Sequence, residues 1–253
     1  VFLNPDAWIA LLTLTFLEIV LGIDNIIFIS IATGKLPAEK RKRATKIGMF
    51  LAMFMRIALL FGINLLIQMK EPWFHIDFSW FSAGITGQSV ILLLGGLFLI
   101  YKSTNEIREK VDERGEEEKE IKEAATKSFQ NVILQIIMID LVFSFDSILT
   151  AVGMTNGVEG ALYIMITAVV ISVFIMMQFA VPVGTFVNKH PSIQILGLAF
   201  LILIGMMLLT ESAHLSDALI FGNHVTPLPK GYLYFAITFS LVVEMINMKI
   251  KKK

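Results

Sequence analysis

Two similar acidic stretches lie in the two halves of the chain, each inside a long apolar run. The first, EIVLGIDN, covers Glu18 to Asn25, and the second, DLVFSFDS, covers Asp140 to Ser147. Each places a carboxylate, five mostly apolar residues, a second carboxylate and a small polar side chain in the same order. An ionisable group at membrane depth costs at least ~2.5 kcal/mol on insertion scales and marks an ion or substrate pathway. The two stretches therefore predict a site for an ion or a small charged substrate.

Helix geometry limits how the acids of one stretch can act together. On an unbroken helix, Glu18 and Asp24 would lie about 120° apart and ~9 Å along the axis, too far apart to bind one ion directly. Glu18 and Asn25 would share a face, and so would Asp140 and Ser147. The spacing alone therefore does not place all four acids in one coordination shell.

Two arrangements fit this geometry. In the one we favour, Gly22 and its counterpart Ser144 mark unwound stretches that let the acids and freed carbonyl groups converge. Broken helices are tolerated at membrane depth where they line a cavity. In the other arrangement, Asp24 and Asp146 cap a site from one side. Glu18 and Asp140 then lie further along the path of the ion through the membrane.

The chemistry of the available side chains favours a hard divalent cation. The candidate metal ligands are Glu18, Asp24, Asn25, Asp140, Asp146 and Ser147. A second, weaker group comprises Glu244, Asn247, Glu211 and His214. Carboxylate, amide and hydroxyl oxygens suit Mn²⁺, Mg²⁺ or Ca²⁺, and the chain has no cysteine. Met138 and Met154 flank the second stretch, and a thioether ligand would favour Mn²⁺ or another transition metal. Arg56 and Lys102 would either neutralise acids or extend to the membrane interface.

The composition predicts that membrane-spanning helices position these residues. The chain is 56% hydrophobic and 17% charged, and its mean hydropathy is +0.75. Apolar runs of about 20 residues match the hydrocarbon core of a bilayer. We predict an all-α membrane protein whose seven spans cover residues 7–33, 44–69, 83–101, 128–154, 160–187, 193–212 and 231–248. No cleavable signal peptide is expected before the first span, which would itself direct insertion.

Lysine and arginine are distributed unequally between alternate loops. With the N-terminus outside, 18 of the 21 Lys and Arg residues fall in segments that would face the cytoplasm. Only Lys70 and Lys230 fall in outward segments, and Arg56 lies within the second span. Because cytoplasmic loops near span ends carry the excess of these residues, we predict an external N-terminus and a cytoplasmic C-terminus.

The longest charged segment, residues 102–127, separates the third and fourth spans. Acids and bases alternate irregularly along it, which is typical of a solvated helix or a flexible linker. We interpret it as a cytoplasmic linker, and a metal-sensing regulatory segment is the alternative.

The acidic stretches are part of a longer internal repeat. Glu18 aligns with Asp140, and Asp24 with Asp146, at one offset, and GLFLIYKS from Gly96 resembles GMMLLTES from residue 205. We predict a single transmembrane domain over residues 1–253, with repeat 1 at about 7–101, repeat 2 at about 128–212 and an extra helix at about 231–248. Three spans per repeat invert the second copy, an arrangement found in many secondary transporters.

At these residues the chain resembles the TerC family of integral membrane proteins, named for tellurite resistance. The resemblance rests on the two acidic stretches and the GLFLIYK segment, and it extends over nearly the whole chain. It implies inverted three-span repeats, and a role as metal ligands or gates for Glu18, Asp24, Asn25, Asp140, Asp146 and Ser147. It also implies an association with manganese export, metal supply to secreted proteins or resistance to tellurium compounds.

Our hypothesis is a secondary transporter that exports a divalent metal cation, first of all Mn²⁺, by proton antiport. One alternative is an exporter of another small cation or an amino acid. Another is a non-transporting membrane partner that handles metal in tellurite resistance or in metallation of exported proteins. The motifs YD and GxGD of intramembrane aspartyl proteases and the GxxxxGK[ST] nucleotide loop are absent from the sequence, so we do not expect an enzyme.

The same hypothesis defines the expected surroundings of the protein. We expect no resident cofactor, with the metal ion as cargo, and no nucleic acid partner. The lipid bilayer is the expected environment, in a multi-pass arrangement in a bacterial-type inner membrane. The protein partners to consider are a second copy of the chain, in a homo-oligomer, and a component of the secretion machinery.

Overall fold

The computed structural model describes residues 5–112, 129–155, 158 and 160–250, except for the side chains of residues 23, 24 and 64. Its helices and strands are, in chain order, α1 (Pro5–Gly34), α2 (Ala38–Phe61), α3 (Ile63–Gln68), β1 (Pro72–Phe78), β2 (Phe81–Thr86), α4 (Gly87–Asp112), α5 (Phe129–Met154), α6 (Ala161–Lys189), α7 (Pro191–Leu215), β3 (Leu219–Ile220), β4 (Asn223–His224) and α8 (Lys230–Ile250). All of these helices except α3 are long and apolar enough to cross a membrane. The prediction of an all-α membrane protein with seven spanning helices is confirmed.

Two of the predicted spans have different ends in the structure. The second span ends at Phe61 rather than at residue 69, because Gly62 follows it and the short helix α3 begins at Ile63. The third span begins at Gly87 rather than at residue 83, because Phe81–Thr86 forms strand β2. Both differences come from one connection, which the sequence analysis left without structure.

That connection belongs to a small antiparallel sheet with the strand order β1-β2-β3-β4. Strand β1 pairs with β2, with Ile76 opposite Ala83 and Phe78 opposite Phe81, and β2 continues into β3 at Phe81 and Ile220. In β1, apolar and polar side chains alternate with a period of two, which is the pattern of a strand. Strand β1 could therefore have been predicted from the sequence PWFHIDF, but its partners could not.

The chain divides into two compact units that do not follow its two halves. Unit 1 comprises Val1–Ile63 and Glu116–Lys189, and unit 2 comprises Asn64–Gly115 and His190–Lys253. Unit 1 contains α1, α2, α5 and α6, whereas unit 2 contains α4, α7, α8 and the sheet. The predicted single domain with repeat boundaries in chain order stays a prediction.

Small residues allow close helix packing in unit 1. A Cβ atom at Gly34 would overlap the Asn188 side chain, and one at Gly184 would lie 3.0 Å from Ser30 Oγ. A Cβ at Gly48 of α2 would likewise lie 2.9 Å from Ile136 Cδ1 of α5. Small residues at such positions let helix backbones approach, which is how membrane helices gain packing energy.

In unit 2, α4 and α7 cross even more closely. A Cβ at Gly96 would lie 2.7 Å from the Gly205 carbonyl oxygen, and one at Gly205 would lie 2.9 Å from that of Gly96. The Ser212 hydroxyl donates a 2.6 Å hydrogen bond to the Ser89 carbonyl. The Gly96 and Gly205 segments, which sequence comparison aligned as repeat copies, thus face each other.

Helix directions within each unit agree with the predicted inversion. In unit 1, the start of α1 and the end of α5 line one cavity, while Asn25 of α1 contacts Asp140 of α5, so the two helices run antiparallel. In unit 2, the contacts of Ser89 with Ser212 and of Gly96 with Gly205 make α4 and α7 antiparallel. Corresponding helices of an inverted repeat must run in opposite directions. The repeat itself and the orientation in the membrane stay predictions.

The charged segment at 102–127 begins as part of a helix. Helix α4 extends into this segment as far as Asp112. Residues 113–128 lie outside the described part of the chain. Glu106 is buried and forms a 2.9 Å ion pair with Lys102. For Glu106 the prediction of a solvated linker is wrong. This residue lies on the buried face of α4, which also includes Leu99 and Ser103.

Candidate cation site

The centre of unit 1 holds a buried cluster in which Arg56 joins the first acids of the two stretches. Arg56 Nη1 donates to Glu18 Oε2 at 2.6 Å. Its Nη2 and Nε atoms donate to Asp140 Oδ1 and Oδ2 at 2.6 and 3.1 Å. Glu18, Arg56 and Asp140 are 5%, 4% and 5% exposed. Of the two roles considered for Arg56, neutralising acids is the one that the structure shows.

Asp140 receives further hydrogen bonds from both stretches. The Ser144 hydroxyl, one turn along α5, donates to Asp140 Oδ2 at 3.0 Å. The Asn25 side-chain amide donates to Asp140 Oδ1 at 3.4 Å. Asn25 Oδ1 is buried and has no hydrogen-bond donor within the described residues. A buried amide oxygen without a donor costs free energy, and it is an acceptor that could bind a cation or a water molecule.

Formal charges in this cluster do not balance. Glu18 and Asp140 contribute two carboxylates, whereas Arg56 contributes one cation. Taking charges out of water is costly unless each is paired. An additional proton or cation would balance the cluster.

Neither acidic stretch is unwound. Helix α1 is continuous through Gly22 and Asn25, and α5 is continuous through Ser144. The favoured arrangement of the sequence analysis is therefore wrong. Gly22 instead lies where a Cβ would overlap Met176 Sδ of α6, and Ser144 uses its hydroxyl to bind Asp140. The first acids converge because α1, α2 and α5 pack around one point, not because either helix breaks.

The other members of the stretches have different positions. The side chain of Asp24 lies outside the described part of the structure. Asp146 is half-buried, and its carbonyl accepts a hydrogen bond from the Thr150 hydroxyl. Ser147 is buried and donates to the Ser144 carbonyl at 3.2 Å. The structure thus brings together Glu18, Asn25 and Asp140, and the assignment of all six residues as metal ligands stays a prediction.

The weaker candidates all belong to unit 2. Glu211 is half-buried and His214 exposed near the end of α7. Glu244 is half-buried and Asn247 exposed on α8. Their proposed role as ligands stays a prediction. Within the described residues, no group of three or more His, Asp or Glu side chains is placed to hold a metal ion.

A small cavity of about 10 Å³ adjoins the cluster. The cavity is lined by Asn25, Ile26, Ile29, Met49, Ala52, Arg56, Asp140, Val173 and Met176. Met49 and Met176 are buried, whereas Met138 and Met154, the methionines singled out from the sequence, are 43% and 44% exposed. The two inner methionines could not be singled out from the sequence, because they are distant in the chain from either acidic stretch.

A larger cavity lies at one end of unit 1. Its volume is about 250 Å³, and it is lined by Asp6, Ile9, Ala10, Thr13, Leu14, Met154, Thr155 and Val158. Thr13 precedes Glu18 by five residues, or about 7.5 Å along the axis of α1. The cavity therefore lies along the same helix as Glu18, about one and a half turns before it.

These features define a polytopic α-helical membrane protein in which a cluster of charged side chains is buried among the helices. The model of the family described as "Integral membrane protein TerC family" matches residues 3–253. The chain belongs to this family, as the acidic stretches indicated.

Comparison with curated proteins identifies bacterial relatives that match nearly the whole of this chain. The UPF0053 inner membrane protein YgdQ of Escherichia coli is 47% identical over 250 residues, which cover 99% of this chain and 96% of YgdQ. A UPF0053 protein of Haemophilus influenzae is 45% identical and covered to 96% of its length. YoaE, an inner membrane protein of Escherichia coli, is 42% identical over 97% of this chain and 43% of its own length.

The search of solved structures finds no significant match. The family, the relatives and the seven apolar helices confirm the predicted location, a bacterial inner membrane crossed several times.

Proposed function

We propose that this protein is a secondary transporter that exports a divalent metal cation, first of all Mn²⁺, and that proton influx drives the export. The observation that carries the proposal is the convergence of Glu18 and Asp140 on Arg56, in the interior of a bundle of spanning helices. Buried acids inside membrane spans mark ion pathways, and here the two lie on antiparallel helices from different halves of the chain.

The charge of the cluster supports a cation as cargo. Arg56 leaves one carboxylate uncompensated, and Asn25 Oδ1 adds a neutral acceptor beside the same carboxylates. Carboxylate and amide oxygens are ligands for hard divalent cations. Both oxygens of Asp140 already accept hydrogen bonds from Arg56. Oδ1 also accepts from the Asn25 amide and Oδ2 from the Ser144 hydroxyl. A metal ion that binds Asp140 directly therefore has to replace at least one of these donors, and Arg56 supplies the counter-charge when the ion has left.

Export needs a source of free energy. Moving a divalent cation outward against 100 mV, inside negative, costs about 4.6 kcal/mol, since each charge costs ~2.3 kcal/mol. Metal binding at carboxylates competes with protonation. Exchange of a proton for a metal ion at Glu18 and Asp140 would couple the two flows.

The test is Mn²⁺ flux in proteoliposomes that contain the purified full chain and a trapped metal-sensitive dye. An imposed pH gradient should accelerate Mn²⁺ movement, and Glu18→Gln should abolish most of that acceleration while its amide oxygen still accepts from Arg56. Asp217→Asn is the matched control, because the Asp217 side chain is 87% exposed at a turn, and its flux should equal that of the wild type.

Other results would point to the alternatives. Binding of Mn²⁺ without any flux would support a non-transporting metal-handling partner, and flux of an amino acid without Mn²⁺ flux would support an organic substrate. Unchanged Mn²⁺ flux in a well-folded Glu18→Gln variant would remove Glu18 from the pathway.

A further inference from the structure

The small cavity beside Asp140 is lined by an amide oxygen and by thioether side chains as well as by the carboxylate. Asn25 contributes a buried amide oxygen that lacks a donor within the described residues. Met49 and Met176 contribute buried thioether side chains from α2 and α6. The volume of about 10 Å³ is close to that of a single water-sized sphere, so it suits one small occupant that has lost most of its hydration shell.

The sulfur of Met176 has a defined position against α1. Gly22 lies where any Cβ atom would overlap Met176 Sδ. Glycine at this position therefore gives the sulfur room between α6 and α1, one turn before Asn25. This requirement explains a glycine within an unbroken helix, where glycine costs roughly 0.5–1 kcal/mol relative to alanine.

Methionine commonly fills gaps in cores without any further role. Met165 is such a residue, since it is buried on the same helix but does not line the cavity. Met176 differs because it lines the cavity together with the polar side chains of Asn25, Arg56 and Asp140. Met165 and Met176 are therefore both buried, and only Met176 lines the cavity.

We propose that Met176 contributes a thioether to the cation site and so selects divalent transition metals over Mg²⁺ and Ca²⁺, with Gly22 providing the space for its sulfur. This inference rests on the proposed function. Carboxylate and amide oxygens suit Mg²⁺, Ca²⁺ and Mn²⁺ alike, whereas thioethers favour softer transition metals. A site that combines these oxygen ligands with a thioether sulfur therefore favours transition metals over the abundant hard cations.

Binding of single metals to the purified full chain tests this selectivity directly. The affinities for Mn²⁺, Cd²⁺, Mg²⁺ and Ca²⁺ are measured by titration calorimetry for the wild type and for Met176→Leu. We expect Mn²⁺ and Cd²⁺ to bind the variant roughly tenfold more weakly, with a larger loss for Cd²⁺, and Mg²⁺ and Ca²⁺ to change by less than about twofold.

X-ray absorption at the Cd²⁺ edge adds a readout that does not depend on affinity. Because the chain has no cysteine, any sulfur neighbour of bound Cd²⁺ must come from one of its 13 methionines. The sulfur shell expected in the wild type should be lost in Met176→Leu.

A second variant moves the sulfur without removing it. In Gly22→Ala the new methyl group occupies the position of Met176 Sδ, and a flexible side chain can move aside at little cost in folding. Gly22→Ala should therefore lose selectivity in the same direction as Met176→Leu. Met165→Leu is the matched control and should keep wild-type affinities.

The outcomes separate the inference from the proposed function. If the wild type binds transition metals and both Met176→Leu and Gly22→Ala keep its selectivity and its sulfur shell, the thioether inference is overturned and the proposed function stands. If the wild type binds none of the four cations, the proposed function fails and the inference fails with it.

Discussion

At the scale of single residues, the central fact is that Arg56 binds two acids that lie 122 positions apart in the chain. A buried ion pair is weak evidence for stability, because the cost of desolvation can exceed the attraction between the charges. Apolar side chains of similar size would fill this space without that cost. A cluster that also leaves a formal negative charge, and an amide oxygen with no donor among the described residues, is easier to explain by binding than by folding.

Breaking this cluster should nevertheless be costly. Arg56→Gln removes the guanidinium and leaves Glu18 and Asp140 buried without their cation. We expect the free energy of unfolding to fall by about 3–5 kcal/mol, the usual cost when one partner of a buried pair is removed. Reversible unfolding in mixed detergent micelles measures this change.

A surface substitution and a compensating variant complete this experiment. Arg108→Gln, at a side chain that is 81% exposed, should change the free energy of unfolding by no more than about 0.5 kcal/mol. Adding Glu18→Gln and Asp140→Asn to Arg56→Gln should restore part of the lost stability, because no buried charge then lacks a partner. An Arg56→Gln variant as stable as the wild type would show that the cluster is hydrated in the membrane.

Most residues of this site could be predicted from the sequence, but the contacts between them could not. Glu18, Asn25 and Asp140 were predictable because charged and amide groups inside apolar runs are conspicuous. The contacts of Arg56 with both acids depend on how three helices pack, which no local pattern encodes. The roles of Gly22 and Met176 were hidden for the same reason, since their contact joins residues 154 positions apart.

At the scale of helices and strands, α4 and α7 approach closely enough in unit 2 for the glycine backbone of each helix to face that of the other. Gly205→Ala would place a methyl group 2.9 Å from the Gly96 carbonyl oxygen and 2.7 Å from Ile100 Cγ1. Because one of these neighbours is backbone, the helices have to move apart. We expect a loss of about 1–3 kcal/mol, the range for overpacked interiors, measured by the same unfolding assay.

The control for this prediction is another helical glycine with open surroundings. A Cβ at Gly153 of α5 would meet nothing within 4 Å. Gly153→Ala should therefore be neutral or stabilise the protein by up to about 1 kcal/mol, because alanine loses less backbone entropy on folding. Equal effects at the two positions would contradict the close crossing of α4 and α7.

Hydropathy predicted the helices better than it predicted their connections. Five of the predicted spans match helices with only small shifts at their ends, because apolar length dominates the signal for a spanning helix. The sheet was missed because its strands have only two to seven residues. The pairing that joins its two hairpins links residues far apart in the chain, such as Phe81 and Ile220.

For the whole molecule, the inverted repeat and the orientation depend on each other. Within each unit, the corresponding helices run antiparallel, α1 with α5 and α4 with α7. If α1 begins outside, three spans bring the start of α5 to the inside, so each copy would present its acidic stretch from the opposite side of the membrane. The predicted transport cycle requires this arrangement, because the same acids must be reached alternately from both faces.

Labelling of single cysteines can establish this orientation, because the native chain has no cysteine to give background. Lys40 in the first turn of α2, Lys70 between α3 and β1, and Lys249 in the last turn of α8 are exposed. In intact spheroplasts, a membrane-impermeant maleimide should label Lys70→Cys, whereas Lys40→Cys and Lys249→Cys should react only after permeabilisation. The physical reason is the excess of Lys and Arg around Lys40 and Lys249, which retains those segments in the cytoplasm. The reverse pattern would invert the direction assigned to every helix, and labelling of all three in intact spheroplasts would mean that the chain inserts in both orientations.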